Sequence, residues 1–310
     1  MASTMPWIKT LLLLSLFWLQ LLCVDGYFID KSCKDIENKL KISMRKVQQS
    51  ADSALQELNK DENSDIRDLR RWFFRDGDLP KVKNVYHFIQ DLTPFGETKT
   101  ARVTPPTIYC NLNRFTEVHE RLGDSQDDRY LKDDQDGTTQ IWDQGYEGCK
   151  GGTTVAYTSA FKSNGNNHLI IQLCPWYLDQ VTTAEFTNAD GTLPKVQGLR
   201  SYDPERDSSD VDPDADVWAS RLDFTLLHEL VHALPFGYNI KGDPAYDWHP
   251  CVALGEEEGC NNPESYAFFA LGVRKIKDEG LKFTKEGKLV AVAKKTAKRF
   301  QRAIMKLWKA

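Results

Sequence analysis

The chain has 310 residues, 41% of them hydrophobic and 27% charged, with a net charge of −5. That balance excludes a disordered or fibrous protein and leaves enough apolar material to bury a sizeable core in one large domain or two small ones. The charge is uneven: Arg274 to Lys309 carries thirteen Lys or Arg against three acids, so the remainder is acidic and no nucleic-acid partner is expected.

In chain order, Lys9 precedes an apolar run from Leu11 to Leu22, and Val24-Asp25-Gly26 offers small residues for cleavage. This predicts a secretory signal peptide over 1–26 and a soluble, exported, extracellular chain beyond it, since the run is too short for a membrane span. Seven cysteines become six once Cys23 leaves. An even number in an exported chain predicts three disulfides, with fifteen connectivities open for six cysteines. No C-x-x-C pair is present, which argues against a cysteine-ligated metal.

From Ser32 to Leu58 the residues Ile36, Leu40, Met44, Val47, Ala51, Leu55 and Leu58 recur every three or four positions, the pattern of a long amphipathic helix. A shorter helix is expected around Ile66–Phe74. Val85–Ile89, Thr107–Cys110, Thr153–Ala160 and His168–Leu173 are rich in Val, Tyr, Thr and Ile and read as strands of a small sheet. Asn164-Gly165-Asn166 between the last two marks a hairpin turn. Gly123–Gly137 and Asp203–Asp216 are polar and acidic and read as surface loops. Asp210, Asp212, Asp214 and Asp216 invite a calcium reading, but the glycine at the sixth position and the glutamate at the twelfth that an EF-hand loop needs are absent.

The sharpest signal follows. His228-Glu229-Leu230-Val231-His232 places two imidazoles four residues apart, on one face of a helix, where they can converge on one metal ion. Glu229 is rotated off that face and can reach a water on the metal's open position. Ser220 with Asp223 three residues on reads as the helix start, Leu226, Leu227, Leu230, Val231 and Leu234 give the apolar stripe, and Pro235 with Gly237 ends it. A further helix is expected from Pro263 through Ile276. Leu289–Trp308 reads as a basic amphipathic helix that docks its apolar face on its own domain, with membrane-surface contact as the alternative.

A catalytic zinc takes three protein ligands and one water. The class with a third histidine in H-E-x-x-H-x-x-G-x-x-H is excluded, because Pro235 and Tyr238 stand at the glycine and histidine positions. Two classes stay open. One takes a glutamate from a downstream helix, here Glu264; the other takes an aspartate from the following loop, here Asp243, eleven residues past His232. Asp247 and His249 are nearby alternatives.

Together, His228–His232, Asp243-Pro244-Ala245-Tyr246 and Asn262-Pro263-Glu264-Ser265-Tyr266-Ala267-Phe268-Phe269 resemble the deuterolysin family, the aspzincins. These are secreted fungal zinc endopeptidases in which H-E-x-x-H is followed by an Asp-x-x-Tyr motif. The likeness runs from His228 to about Ala270. It extends loosely upstream through the helix near Cys33, Tyr109-Cys110-Asn111, Val155-Ala156-Tyr157-Thr158 and Ile171-Gln172-Leu173-Cys174. The stretch around 115–145 and the tail beyond about 275 are not family features, and Asp247 stands where the family motif has glycine.

The resemblance implies His228, His232 and Asp243 as ligands of one catalytic Zn2+, Glu229 as general base and Tyr246 as a hydrogen-bond donor to the oxyanion. It also implies the disulfides Cys33–Cys110 and Cys149–Cys174. A third, Cys251–Cys260, is expected as a short loop closure outside the family pattern. The expected fold is α+β, a helical zincin-like domain over 27–272 with a small, mostly antiparallel sheet, followed by a basic helical extension over 273–310. The expected function is a monomeric secreted zinc endopeptidase acting on peptide or protein substrates. The alternatives are a non-catalytic exported zinc-binding protein, or a protease of the gluzincin type with Glu264 as third ligand.

Overall fold

Helix formation begins where the sequence pattern places it. In the computed structural model, which describes residues 26–94, 105–121, 127–133, 139–141, 144–163, 166–187, 215–234, 240 and 242–292, strand β1 (Gly26–Ile29) leads through a 3-10 turn into helix α1 (Glu37–Lys60). Leu40, Met44, Val47, Ala51, Ala54 and Leu58 of α1 are buried along one stripe. Helix α2 (Ser64–Phe73) starts at Asn63, whose side chain accepts from the Asp65 and Ile66 amides, so two amides at the helix start are satisfied by an N-cap. Residues 1–25 of the expected signal peptide, the Asn164-Gly165 turn, Asp210 to Asp214 and the basic segment beyond 292 lie outside the described residues.

Val85–Ile89, expected as a strand, lies in helix α3 (Leu79–Asp91). Pro80 sits in its first turn, and Val82, Val85, Tyr86 and Ile89 are buried, at the i, i+3, i+4, i+7 spacing of a helix face. The β-branched residues mislead because their spacing, not their propensity, decides which face is buried.

Strands β2 (Thr93–Pro94), β3 (Thr107–Tyr109), β7 (Ala156–Ser163) and β8 (Asn166–Leu173) join β1 in a five-stranded sheet of order β2-β1-β3-β8-β7. The pairings β1–β2, β1–β3 and β3–β8 are parallel and only β7–β8 is antiparallel. The architecture is α+β as expected. Antiparallel pairing holds in the two smaller sheets and at β7–β8, whereas the main sheet is otherwise parallel because long crossovers, α1 among them, separate its strands.

The polar stretch read as a loop over 123–137 contains strand β5 (Asp127–Asp133), which pairs antiparallel with β4 (Phe115–Arg121) and β6 (Thr139–Ile141). Its inward positions include Leu131 and Asp133, both 1% exposed. Arg114 Nε donates to Asp133 Oδ2 at 2.8 Å, and its Nη1 donates to Gln172 Oε1 on β8 at 2.7 Å. The guanidinium carbon lies 3.6 Å from the centre of the Tyr109 ring. A charge pointing inward breaks the alternation that reveals a strand, and it is tolerated only because its partner is supplied from elsewhere in the fold.

Helix α4 (Gln144–Gly151) precedes β7, and α5 (Pro175–Thr187) follows β8. Disulfides Cys33–Cys110 and Cys149–Cys174 form as expected, the first tying the entry of α1 to the end of β3, the second α4 to the entry of α5. After α6 (Ala215–Ala219) comes α7 (Leu222–His232), with Arg221 rather than Ser220 at the cap position. Every residue of α7 from Leu222 to Val231 is buried. It packs between α1, strand β7 and α9 (Pro263–Arg274).

Helix α8 (Trp248–Glu258) precedes α9. Its Cys251 and the nearby Cys260 are buried free thiols, not a disulfide. The Cys251 thiol donates to Ala245 O at 3.6 Å and accepts from Asn262 Nδ2 at 3.2 Å, while Cys260 hydrogen-bonds Asp78. Gly255, at φ 63°, turns the chain between them, so each sulfur has its own neighbours. Burial pushes both thiols up.

The basic helix expected from Leu289 begins instead as strand β10 (Leu289–Ala291), paired antiparallel with β9 (Leu281–Phe283). Gly287, at φ 76°, sits in the turn between them. Phe283 is buried with its ring 5.1 Å from that of Trp248, and Trp248 Nε1 donates to Lys285 O at 3.0 Å. Residues 273–292 therefore complete the core, and no structural boundary falls at 273. Among the described residues, no helix is long and apolar enough to cross a membrane.

Candidate metal centre

The α-helical spacing sets the first two groups. On α7 the His228 and His232 rings lie with centroids 5.0 Å apart. The loop after α7 returns Asp243 beneath them, so that His228 Nε2 stands 3.0 Å and His232 Nε2 2.9 Å from the same oxygen, Asp243 Oδ1. One ligand atom from each of the three lies within 4.8 Å of the others. Tetrahedral ligands about 2.0–2.2 Å from a shared ion stand about 3.3–3.6 Å apart, so Asp243 Oδ1 needs to part from each nitrogen by only a few tenths of an ångström to admit one.

The chemistry of the donor set agrees. His228 Nδ1 lies 2.6 Å from Glu264 Oε2. With Nδ1 donating to a carboxylate, Nε2 is the nitrogen that would give up its proton and present the lone pair that a metal requires. Burial pulls the His228 pKa down, but hydrogen bonds to Asp243 and Glu264 and the charges of Glu264 and Glu229 outweigh it, and the pKa lies well above the ordinary value. Burial likewise pushes Asp243 up, and hydrogen bonds to His228 and His232 hold it well below the carboxylate range. Three carboxylates crowd two imidazoles in a buried space, and such a field favours a cation. His228, His232 and Asp243 can hold a metal ion.

Glu264 lies on the far side of His228 from Asp243, bonded to the outward nitrogen, so it orients a ligand and is not gathered with the Nε2 atoms. Asp247 and His249 do not belong to the cluster either; His249 is exposed on α8. Tyr246 stacks its ring on His228, centroids 5.9 Å apart and planes 14° from parallel, while 51% of its surface is exposed. Burial of its hydroxyl and the Asp243 carboxylate, to which it is hydrogen-bonded, push its pKa up, so it is a donor at neutral pH.

Glu229 is 4% exposed. Its Oε2 accepts from the Thr158 hydroxyl on β7 at 2.7 Å. Thr158 and Asn262 are the site residues whose roles sequence reasoning missed. Asn262 Oδ1 accepts from the Ala245 amide at 3.4 Å and its Nδ2 donates to Ser265 Oγ at 3.1 Å, fastening the Asp243–Tyr246 loop to the start of α9. Neither residue carries a local signal, since each acts on a segment distant in sequence.

Asp247 adopts φ 63° and ψ 160° with no side-chain capping bond, a region that only glycine enters without strain. The start of α8 is capped in trans, by Asp216 Oδ1 accepting from the Trp248 amide at 2.6 Å. Asp247→Gly should therefore stabilise the fold by about 1 kcal/mol, the relieved strain exceeding the extra freedom of the unfolded chain. Thermal unfolding should show a midpoint about 2–4 °C higher; a lower midpoint would mean that the Asp247 side chain stabilises this turn. Compared with protein-family models, curated proteins and solved structures, the chain matches none of them.

Proposed function

We propose that this chain is a secreted zinc-dependent endopeptidase of the aspzincin kind that its sequence resembles. The observation that carries the reading is the convergence of His228 Nε2, His232 Nε2 and Asp243 Oδ1, with a buried Glu229 carboxylate one residue along the same helix. A secreted setting is supported by the two disulfides and by the signal-like residues 1–26.

His228, His232 and Asp243 would hold the ion, which when bound would supply Lewis-acid polarisation of a scissile carbonyl and make water acidic enough to lose a proton near neutral pH. Two histidines and one aspartate form the nitrogen–oxygen set that suits zinc and leave a fourth position open. Glu229 accepts the proton from the attacking water and returns it to the leaving amine. Tyr246, half exposed beside His228, donates its hydroxyl hydrogen to the oxyanion that develops on the peptide carbonyl. Glu264 keeps His228 in its ligating tautomer.

The test is cleavage of an unfolded protein by the purified chain, with and without a chelator, followed by mass-spectrometric mapping of the cuts. Internal cuts that stop on chelation and resume with stoichiometric zinc are expected. A chain that holds one zinc yet cleaves nothing overturns the endopeptidase reading in favour of a non-catalytic metal-binding protein.

A further inference from the structure

Strand β7 is the last strand in the order of its sheet and packs against α7. Successive side chains of a strand point to opposite faces. Tyr157 lies against α4, where a Cβ added to Gly145 would come within 2.8 Å of its ring. Thr158 points the other way, to α7, and its hydroxyl lies between two acceptors of one residue: Glu229 O at 3.1 Å and Glu229 Oε2 at 2.7 Å. A threonine hydroxyl has one proton to give. The main-chain carbonyl already accepts from the Ala233 amide at 3.0 Å, so the carboxylate is both the nearer acceptor and the one that needs the donor.

We infer that Thr158 is the positioning residue for the Glu229 carboxylate: its hydroxyl holds Oε2 and leaves Oε1 as the oxygen that takes the proton from water. This rests on the metallohydrolase reading of the site. β-Branching restricts the threonine rotamer on the strand, and the antiparallel pairing of Thr158 with Ile171 fixes its position along α7. The carboxylate on a helix is thereby aimed from a sheet. In the hydrolytic step the water O–H bond breaks, an Oε1–H bond forms on Glu229, the water oxygen bonds to the peptide carbon, and the carbonyl π pair moves onto its oxygen to give the oxyanion. The Thr158 proton stays on Thr158 throughout.

A double-mutant cycle on the zinc-loaded full chain tests this. Acetohydroxamic acid chelates an active-site metal and offers an acidic proton to a neighbouring base, and it carries no side chain to discriminate. Its binding is read by competition or from the visible spectrum of cobalt-substituted protein. A hydrogen bond to a charged group is worth about 10- to 100-fold in an equilibrium, so Thr158→Val should weaken hydroxamate binding about tenfold at unchanged metal content. Thr158→Ser, which keeps the hydroxyl, should bind within about twofold of the parent. In a Glu229→Ala background, Thr158→Val should change binding by less than about twofold, because the partner is gone.

Where peptide cleavage is present, Thr158→Val should lower kcat and leave KM within about twofold, since the lost contact acts on the base and not on the substrate. An equal loss in the Glu229→Ala background, a Thr158→Ser variant as impaired as Thr158→Val, or a Thr158→Val variant that loses its metal overturns the inference. A parent chain that binds zinc and the hydroxamate with the expected coupling but cleaves no peptide leaves the inference standing and removes the endopeptidase reading. A chain that takes up no metal removes both.

Discussion

Glu229→Gln should keep the metal and lose hydrolysis. The substitution preserves shape, and its amide oxygen can still accept from Thr158, which stands 2.7 Å from the native carboxylate. The amide cannot take a proton from water, so the loss is that of general-base catalysis, about 10²–10⁴-fold in kcat. The ligand atoms of His228, His232 and Asp243 are untouched. Metal content by mass spectrometry should therefore stay at one ion per chain while cleavage of a fluorogenic peptide nearly disappears. Full activity in this variant would sink Glu229 as the base and leave the metal site unaffected.

Asp243→Ala should remove both metal and activity. It deletes the only one of the three ligand groups carried outside α7, and Asp243 Oδ1 is the atom to which both Nε2 atoms converge. Two imidazoles remain, one turn apart, and among the described residues no other group is gathered with their Nε2 atoms. Affinity should fall by more than about 100-fold, beyond the 10–100-fold typical of losing a partner in the outer shell. Glu264→Gln supplies the comparison: it weakens the hold on His228 Nδ1 and should lower metal affinity by only about 10–100-fold. Chelator competition ranks the two. If Glu264→Gln proved the more damaging, Glu264 would be the ligand and Asp243 its support.

Both results depend on how the site is assembled from distant parts of the chain. The two histidines come from one helix, the aspartate from the following loop, the orienting Glu264 from α9 and the hydroxyl on the base from β7. Asn262 then fastens the loop to α9 through Ala245 and Ser265. The arrangement is rigid where the core is rigid: α7 is buried along nearly its whole length, and Trp248 and Phe268, with ring centres 5.3 Å apart, pack beneath the segments on either side of the loop. Such packing holds ligand atoms in place before an ion arrives, which lowers the ordering cost of binding.

Short-range periodicity encodes only part of this arrangement. The pairing of His228 with His232 follows from the helical repeat alone, and the stripe of α1 from Leu40 to Leu58 follows from the same repeat. Asp243 was legible only as one of several candidates, with Glu264, Asp247 and His249, because the ten residues between His232 and Asp243 do not state where the chain returns. The disulfides Cys33–Cys110 and Cys149–Cys174 were legible only through the likeness to a family.

Tertiary structure decided the rest, wherever a residue answers to a partner far along the chain. Val85 and Ile89 have strand propensity yet lie on a helix, because the stripe they share with Val82 and Tyr86 is buried in the core. Asp133 hides a strand until Arg114 neutralises it from nineteen residues away. Cys251 and Cys260 stay thiols because each is committed to other neighbours, Ala245 and Asn262 for one, Asp78 for the other. Leu289 is a strand residue because β9 offers it a partner. The gathering of Asp243, rather than Glu264, with both Nε2 atoms is of this kind too, since each carboxylate reaches a different nitrogen of His228. A local pattern fixes which side chains share a face, and only long-range packing fixes what that face meets.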